Sequence, residues 1–145
     1  MKISTKGRYA LRMLLDLAIH QADGYIALKD IGQRQNVSKK YLEQIVPLLN
    51  KSGLLRTNRG FQGGYMLSRP ANEYTVGEIL RLTEGSLAPI ACLDGPENTC
   101  PRQSDCITLP MWEGLYNAIT GYVDNITLQD MIDNYNSANG GDYCI

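Results

Sequence analysis

Apolar residues recur at helical spacing over residues 4–20. Tyr9, Ala10, Met13, Leu14, Leu17 and Ala18 share one stripe, and Ser4 or Thr5 stands ready as a cap. Gly24 interrupts, and Tyr25-Ile26-Ala27 reads as a short strand. A short helix follows with Leu28 and Ile31 on its apolar side. Gln35-Asn36-Val37 is a turn and Ser38 an N-cap. Leu42, Ile45, Val46 and Leu49 then form the apolar face of the next helix. Pro47 predicts that this helix kinks or loses regularity near Val46. Gly53 suits the left-handed position that closes it. Helix, tight turn and helix over 28–51 predict a helix-turn-helix.

The period then changes. Leu54-Leu55-Arg56-Thr57 and Tyr65-Met66-Leu67 are strand-like and flank the turn-rich Asn58-Arg59-Gly60-Phe61-Gln62-Gly63-Gly64. A hairpin with a basic tip directly after a helix-turn-helix predicts a wing. Thr75-Val76-Gly77-Glu78 has the capping-box pattern and opens a helix with Ile79, Leu80 and Leu82, which Gly85 closes. Residues 85–108 lack periodicity and read as a loop that something else must order. Pro110 opens a helix whose Trp112, Leu115, Ile119, Tyr122 and Ile126 step by three, four, three and four. That heptad seam predicts packing along another helix. Thr127-Leu128-Gln129-Asp130 caps a last short helix, and the tail from Asn136 is expected to be mobile. No internal repeat is visible. The fold class is therefore mostly α with a small β wing. The expected divisions are a winged helix-turn-helix over 1–70, a connecting helix and cysteine loop over 71–108, a long packing helix and short last helix over 109–135, and a tail over 136–145.

Charge sharpens the division. Residues 1–70 hold 12 Lys and Arg against 4 Asp and Glu, and residues 71–145 hold 2 against 11. Net charges of +8 and −9 thus hide behind a total of −1. A basic first half suits phosphate, and an acidic second half does not. The 43% hydrophobic and 20% charged residues are ordinary for a folded domain and exclude the disordered class. No apolar run approaches the length of a membrane span. Met1 to Arg8 carries charge with no apolar signal-peptide core behind it, so a soluble, cytoplasmic protein is expected. The four cysteines then read as thiols or metal ligands rather than disulfides.

A recognition helix offers its N-terminal residues to base edges. Here these are Ser38, Lys39, Lys40, Tyr41, Glu43 and Gln44, with Arg56, Arg59 and Gly60 on the wing. Gln suits adenine, Lys suits guanine or phosphate, and Glu accepts from cytosine. Glu43 either pairs with a neighbouring Lys or rejects unsuitable sites, since a carboxylate repels phosphate. Cys92, Cys100 and Cys106 fall within fifteen residues on the loop and are placed to converge on a soft metal or an iron–sulfur cluster. Cys144 stands apart, and the single His, His20, reads as a surface or capping residue. A thiol enzyme using Cys100 or Cys106 gains little support, because the chain lacks a short paired-Cys redox motif and a His near these cysteines. A structural zinc protein would leave the basic wing unexplained.

Three stretches together resemble one known family. They are Met1-Lys2-Ile3-Ser4-Thr5-Lys6-Gly7-Arg8-Tyr9-Ala10, Val37-Ser38-Lys39-Lys40-Tyr41-Leu42-Glu43-Gln44 and Arg59-Gly60-Phe61-Gln62-Gly63-Gly64-Tyr65. The chain resembles the Rrf-type winged-helix transcription regulators, the family of IscR, CymR and NsrR, and within it the IscR-like iron–sulfur regulators. The resemblance implies a homodimer joined through the long helix, with two winged helices reading a pseudo-palindromic operator on double-stranded DNA. It implies that Cys92, Cys100 and Cys106 hold a cluster, two-iron two-sulfur being the expectation, and that Glu43 tunes the choice of operator.

The chain departs from that pattern at the fourth ligand. The family's His position is Leu109 here, which does not ligate, and the N-terminal acidic position of NsrR-like members falls at Arg8 or Arg12. Asp94, Glu97, Asp105, Cys144 or a group from the partner subunit remain candidates. The end of the chain, Asp142-Tyr143-Cys144-Ile145, resembles the tails with which serine acetyltransferases dock into cysteine synthase. Tyr143 and Ile145 are therefore candidate partner-binding residues, and a cysteine-metabolism repressor controlled by cysteine synthase is the alternative. The main expectation is a dimeric repressor that senses cluster status and controls cluster-assembly or sulfur and cysteine genes.

Overall fold

The computed structural model describes residues 1–140. Their elements run α1 (Thr5–Ile19), α2 (Leu28–Gln35), α3 (Lys39–Lys51), β1 (Leu55–Asn58), β2 (Gly64–Leu67), α4 (Val76–Glu84), α5 (Leu109–Val123) and α6 (Leu128–Gly140), with short 3-10 turns between some of them. The class is as expected, mostly helical with one small antiparallel hairpin.

Local chemistry sets most boundaries. Ser4 Oγ accepts from Gly7 N at 3.2 Å and Ser38 Oγ from Tyr41 N at 3.1 Å, so each caps its helix. Asn36 turns left-handed between α2 and α3 at φ 54°. Thr127 and Asp130 cap α6 reciprocally, at 2.9 and 3.0 Å. At α4 the reciprocity fails. Thr75 accepts from Glu78 N, but the Glu78 carboxylate turns to Arg69 at 2.9 Å.

The structure corrects three expectations. First, α3 continues past Pro47 to Lys51. Pro47 and Glu43 share the exposed side of the helix, so the Glu43 carbonyl that proline leaves unbonded meets water. Second, Asn136–Gly140 belong to α6 rather than to a tail. Third, Tyr25-Ile26-Ala27 makes no full strand. Ile26 alone bridges to Tyr65 and adds a one-residue edge to the wing.

The main core lies where α1 crosses α2, α3 and the hairpin. Met13, Leu14, Leu17, Ile31, Leu42, Ile45 and Leu49 are fully buried there. Tyr74 is buried with them and locks the wing to the core. Its hydroxyl donates to Leu54 O at 2.6 Å and accepts from Ser68 N at 3.0 Å. A smaller cluster of Val76, Leu80 and Leu87 joins α4 to α5 and to Ile3 and Leu11 of the N-terminal segment. Among the described residues no helix is long and apolar enough to cross a membrane.

Candidate functional site

α3 and the wing enclose an open groove of about 530 Å³. Lys39, Glu43 and Asn50 line it from the helix, and Thr57, Arg59 and Gly60 from the hairpin. Thr57 Oγ1 donates to Asn50 Oδ1 at 2.9 Å and fixes the wing against the helix. Close backbone approach demands glycine at two places. A Cβ on Gly64 would stand 2.3 Å from Ile26 O, and one on Gly63 would stand 2.3 Å from Asn58 O.

The predicted DNA-facing residues divide by geometry. Lys39, Glu43, Arg59 and Gly60 share the groove. Lys40 and Gln44 are exposed on the adjoining strip of α3. The Ser38 hydroxyl is engaged in its cap. Tyr41 is half-buried and meets Tyr9 edge to face, with centroids 5.4 Å apart, so it packs α3 on α1. Arg56 is exposed and alternates with Thr57 along β1, which sets it on the outer face of the hairpin. Glu43 lies 3.8 Å from Lys39, and both side chains are more than half exposed.

Sequence reasoning missed the residues that hold this reading head in place. Asp16, 1% exposed, accepts from Arg34 Nε at 3.0 Å, Arg34 Nη2 at 2.6 Å and Gln35 Nε2 at 2.9 Å. Arg12 donates to the carbonyl of Gln35 and to its Oε1, and stacks 5.0 Å from the Tyr9 ring centre. The Asp16 hydrogen bond raises the Arg34 pKa. One signal was legible. Asp16 is a charged residue inside the otherwise apolar run Met13 to Ala18. His20 closes α1, with Nδ1 2.9 Å from Asp16 O.

Cys92, Cys100 and Cys106 all line one cavity of about 270 Å³ at the start of α5, with Ile90, Leu109 and Trp112 as its apolar walls. Partial burial first, then the neighbouring Cys100 thiol, raises the Cys92 pKa. The Thr108 hydroxyl, 3.4 Å from Cys106 Sγ, lowers that of Cys106. Among the described residues no three His, Cys, Asp or Glu converge tightly enough for a single metal ion. A two-iron cluster distributes its ligands over two irons and does not need convergence on one point. A shared cavity with three thiols and apolar walls fits such a group. Asp94, Glu97 and Asp105 do not line the cavity, and Asp105 instead lies 3.6 Å from Arg102. Cys144, Tyr143 and Ile145 lie outside the described residues.

The heptad seam of α5 divides. Of the seam, Ile119 and, beyond the helix, Ile126 turn inward, joined by Tyr116 and Val123, onto the cluster of Val76, Leu80 and Leu87. Met111, Leu115 and Tyr122 stay exposed, Tyr122 at 69%, with Ala118 between them. The helix therefore carries two apolar faces, one against its own chain and one without a partner among the described residues.

The helix-turn-helix, hairpin and basic groove define a winged-helix transcriptional regulator. Residues 3–134 match the family described as Rrf2, iron-dependent transcriptional regulator, and the chain belongs to it. It is 38% identical over 142 residues to the HTH-type transcriptional regulator IscR of Pectobacterium atrosepticum, covering 98% of this chain and 85% of that one. Among solved structures it is similar to T. potens IscR, with 36% identity, a TM-score of 0.75 and coverage of 95% and 90%. It is similar also to CymR, the global cysteine regulator of B. subtilis, with 36% identity, a TM-score of 0.74 and coverage of 90% and 95%.

Proposed function

We propose that this chain is a homodimeric operator-binding repressor whose DNA choice responds to a cluster held by Cys92, Cys100 and Cys106. The observation that carries the reading is the shared cavity of the three cysteines at the head of α5. The names of its IscR relatives support the same direction. A two-iron two-sulfur cluster, when bound, supplies redox and oxygen sensitivity. Asp94, Glu97 and Asp105 do not line that cavity, which leaves Cys144 or a group of the partner subunit as the fourth ligand. Cytoplasmic cluster-assembly or sulfur and cysteine genes are the targets.

In this reading the basic groove takes the duplex. Residues at the start of α3 enter the major groove, and Arg59 reaches the adjoining backbone or minor groove. The exposed apolar face of α5 pairs with its copy, so two groups of groove residues face one pseudo-palindrome. The cysteine loop reaches α1 along a short path. Leu87, at the start of the loop, is buried against Val76 and Leu80, which also contact Ile3 and Leu11. Glu84 accepts from Ser4 N at 3.2 Å and Ser4 Oγ at 2.6 Å. Ordering of the loop thereby biases the seat of α1 and, through Arg12 and Asp16, the pose of α3.

An anaerobic absorption spectrum with iron and sulfide analysis tests the cluster. Visible absorption with stoichiometric iron and sulfide is expected, and alanine at Cys92, Cys100 or Cys106 abolishes it while the protein stays folded. Protein that stays colourless after reconstitution refutes the cluster reading. The structural similarity to a global cysteine regulator favours a second reading, a cysteine-metabolism repressor, and the tail's resemblance to those of serine acetyltransferases makes cysteine synthase, held through Tyr143 and Ile145, its co-repressor. Capture of cysteine synthase that is lost on deleting Ile145 supports that one.

A further inference from the structure

Phe61 is the only phenylalanine in the chain, and its side chain is 104% exposed. It stands at the tip of the hairpin, next to Arg59 and Gly60 of the groove. The backbone is built to hold it there. Gly60 adopts φ 131°, a conformation that L side chains rarely take. Gly63 N donates back to Gly60 O at 3.0 Å, and Gly63 has no room for a Cβ. Two strained or crowded glycines thus close a tight loop that presents an aromatic ring to water. Single exposed apolar residues are common on proteins. This one is fully exposed at the tip of an element whose base is tied to α3 by Thr57 and Asn50.

We infer that Phe61 is a minor-groove wedge, a specificity-determining residue that reads DNA deformability beside the base contacts of α3. The inference rests on the operator-binding reading above. Charge orients the hairpin. Arg59 lines the α3 groove, whereas Phe61 lines the neighbouring hollow together with Asp23 and Asp30. Phosphate is drawn to Arg59 and kept off the two carboxylates, so Arg59 meets a backbone while the ring, beside groups that repel phosphate, lies over the groove between the two backbones. An apolar ring there buries itself against deoxyribose and wedges a base step, as minor-groove proteins do, and bends the duplex toward the major groove. Pyrimidine–purine steps unstack most readily, so such a step is favoured under the ring although no hydrogen bond reads it.

The probe is the tightest duplex that the full-length protein recovers from a randomised pool, labelled at both ends for bend measurement by energy transfer. Phe61→Ala is expected to weaken binding roughly tenfold and to reduce the bend, from loss of aromatic burial and of the wedge. The slope of affinity against salt stays unchanged, because no phosphate contact is removed. Arg59→Ala, by comparison, lowers that slope by about 1 if it contacts phosphate. Phe61→Leu retains most of the bend and Phe61→Gln does not. The thermal melt of each free variant matches the parent, since the ring is fully exposed in the free protein. Phe61→Ala with parental affinity and parental bend overturns the wedge while Arg59→Ala still reports DNA binding. Failure of the unmodified protein to recover any duplex refutes operator binding itself, and the wedge with it.

Discussion

Asp16 on α1 and Arg34 at the end of α2 form a two-point ion pair, with 3.0 and 2.6 Å between donor nitrogens and carboxylate oxygens. The carboxylate is buried and the guanidinium half-exposed. A third bond from Gln35 fills the same carboxylate. The residues that follow are the Asn36 turn and the cap of α3. The pair therefore fixes where the recognition helix begins relative to the core.

Asp16→Ala should destabilise the fold by about 2–3 kcal/mol, because hydrogen bonds to a charged group are lost and Gln35 Nε2 loses its acceptor. Urea unfolding of the variant and parent measures this. A loss below about 0.5 kcal/mol would show that water replaces the carboxylate at no cost.

Arg81 and Asp124 tie α4 to the end of α5, with contacts of 2.6 and 2.9 Å. The Arg81 hydrogen bond holds the Asp124 carboxyl below its ordinary pKa of 3.8. The folded value lies below the unfolded one, so the pair contributes stability above about pH 4 and loses it as pH falls through the folded value. Both side chains are about 40% exposed, which limits the contribution to about 0.5–1 kcal/mol. The stability gap between the parent and Asp124→Asn should be present at pH 7 and shrink as pH falls below about 4. A gap that is constant with pH refutes the pair as its source.

Glu43 faces the α3 groove 3.8 Å from Lys39. Removing its charge should bring phosphate closer and admit sequences that the parent rejects. Glu43→Ala is expected to narrow the affinity ratio between the best and the random duplex, with affinity for the random duplex rising. An unchanged ratio reduces Glu43 to a surface partner of Lys39.

Leu115 and Tyr122 lie on the outer face of α5. Leu115→Glu places a charge at the centre of the proposed pairing face and should convert dimer to monomer in sedimentation analysis. It should leave the helical signal intact, because Leu115 is exposed within its own chain. Retained dimer at micromolar concentration would move the interface elsewhere.

Helix caps, turns and the wing were legible from residue types alone, because these features depend on neighbours within about four positions. Ser4, Ser38, Thr75 and Thr127 cap the expected helices through contacts to residues three positions on. The apolar stripes of α1 and α3 marked the core correctly, since burial of one face follows from period alone. The three loop cysteines stood out by spacing, and the structure sets all three on one cavity. The long-range pairs were not. Asp16 with Arg34, Glu84 with Ser4 and Arg81 with Asp124 join residues 18, 80 and 43 positions apart, and no local rule selects such partners. The division of the α5 seam shows the same limit. A 3-4 repeat states that a helix has an apolar face; only the placement of α4 and Leu87 decides that Ile119 packs within the chain while Leu115 and Tyr122 remain outside. Residue order thus settles elements whose energetics are local, and the folded chain settles which charges meet, because those choices depend on contacts that exist only after distant segments pack.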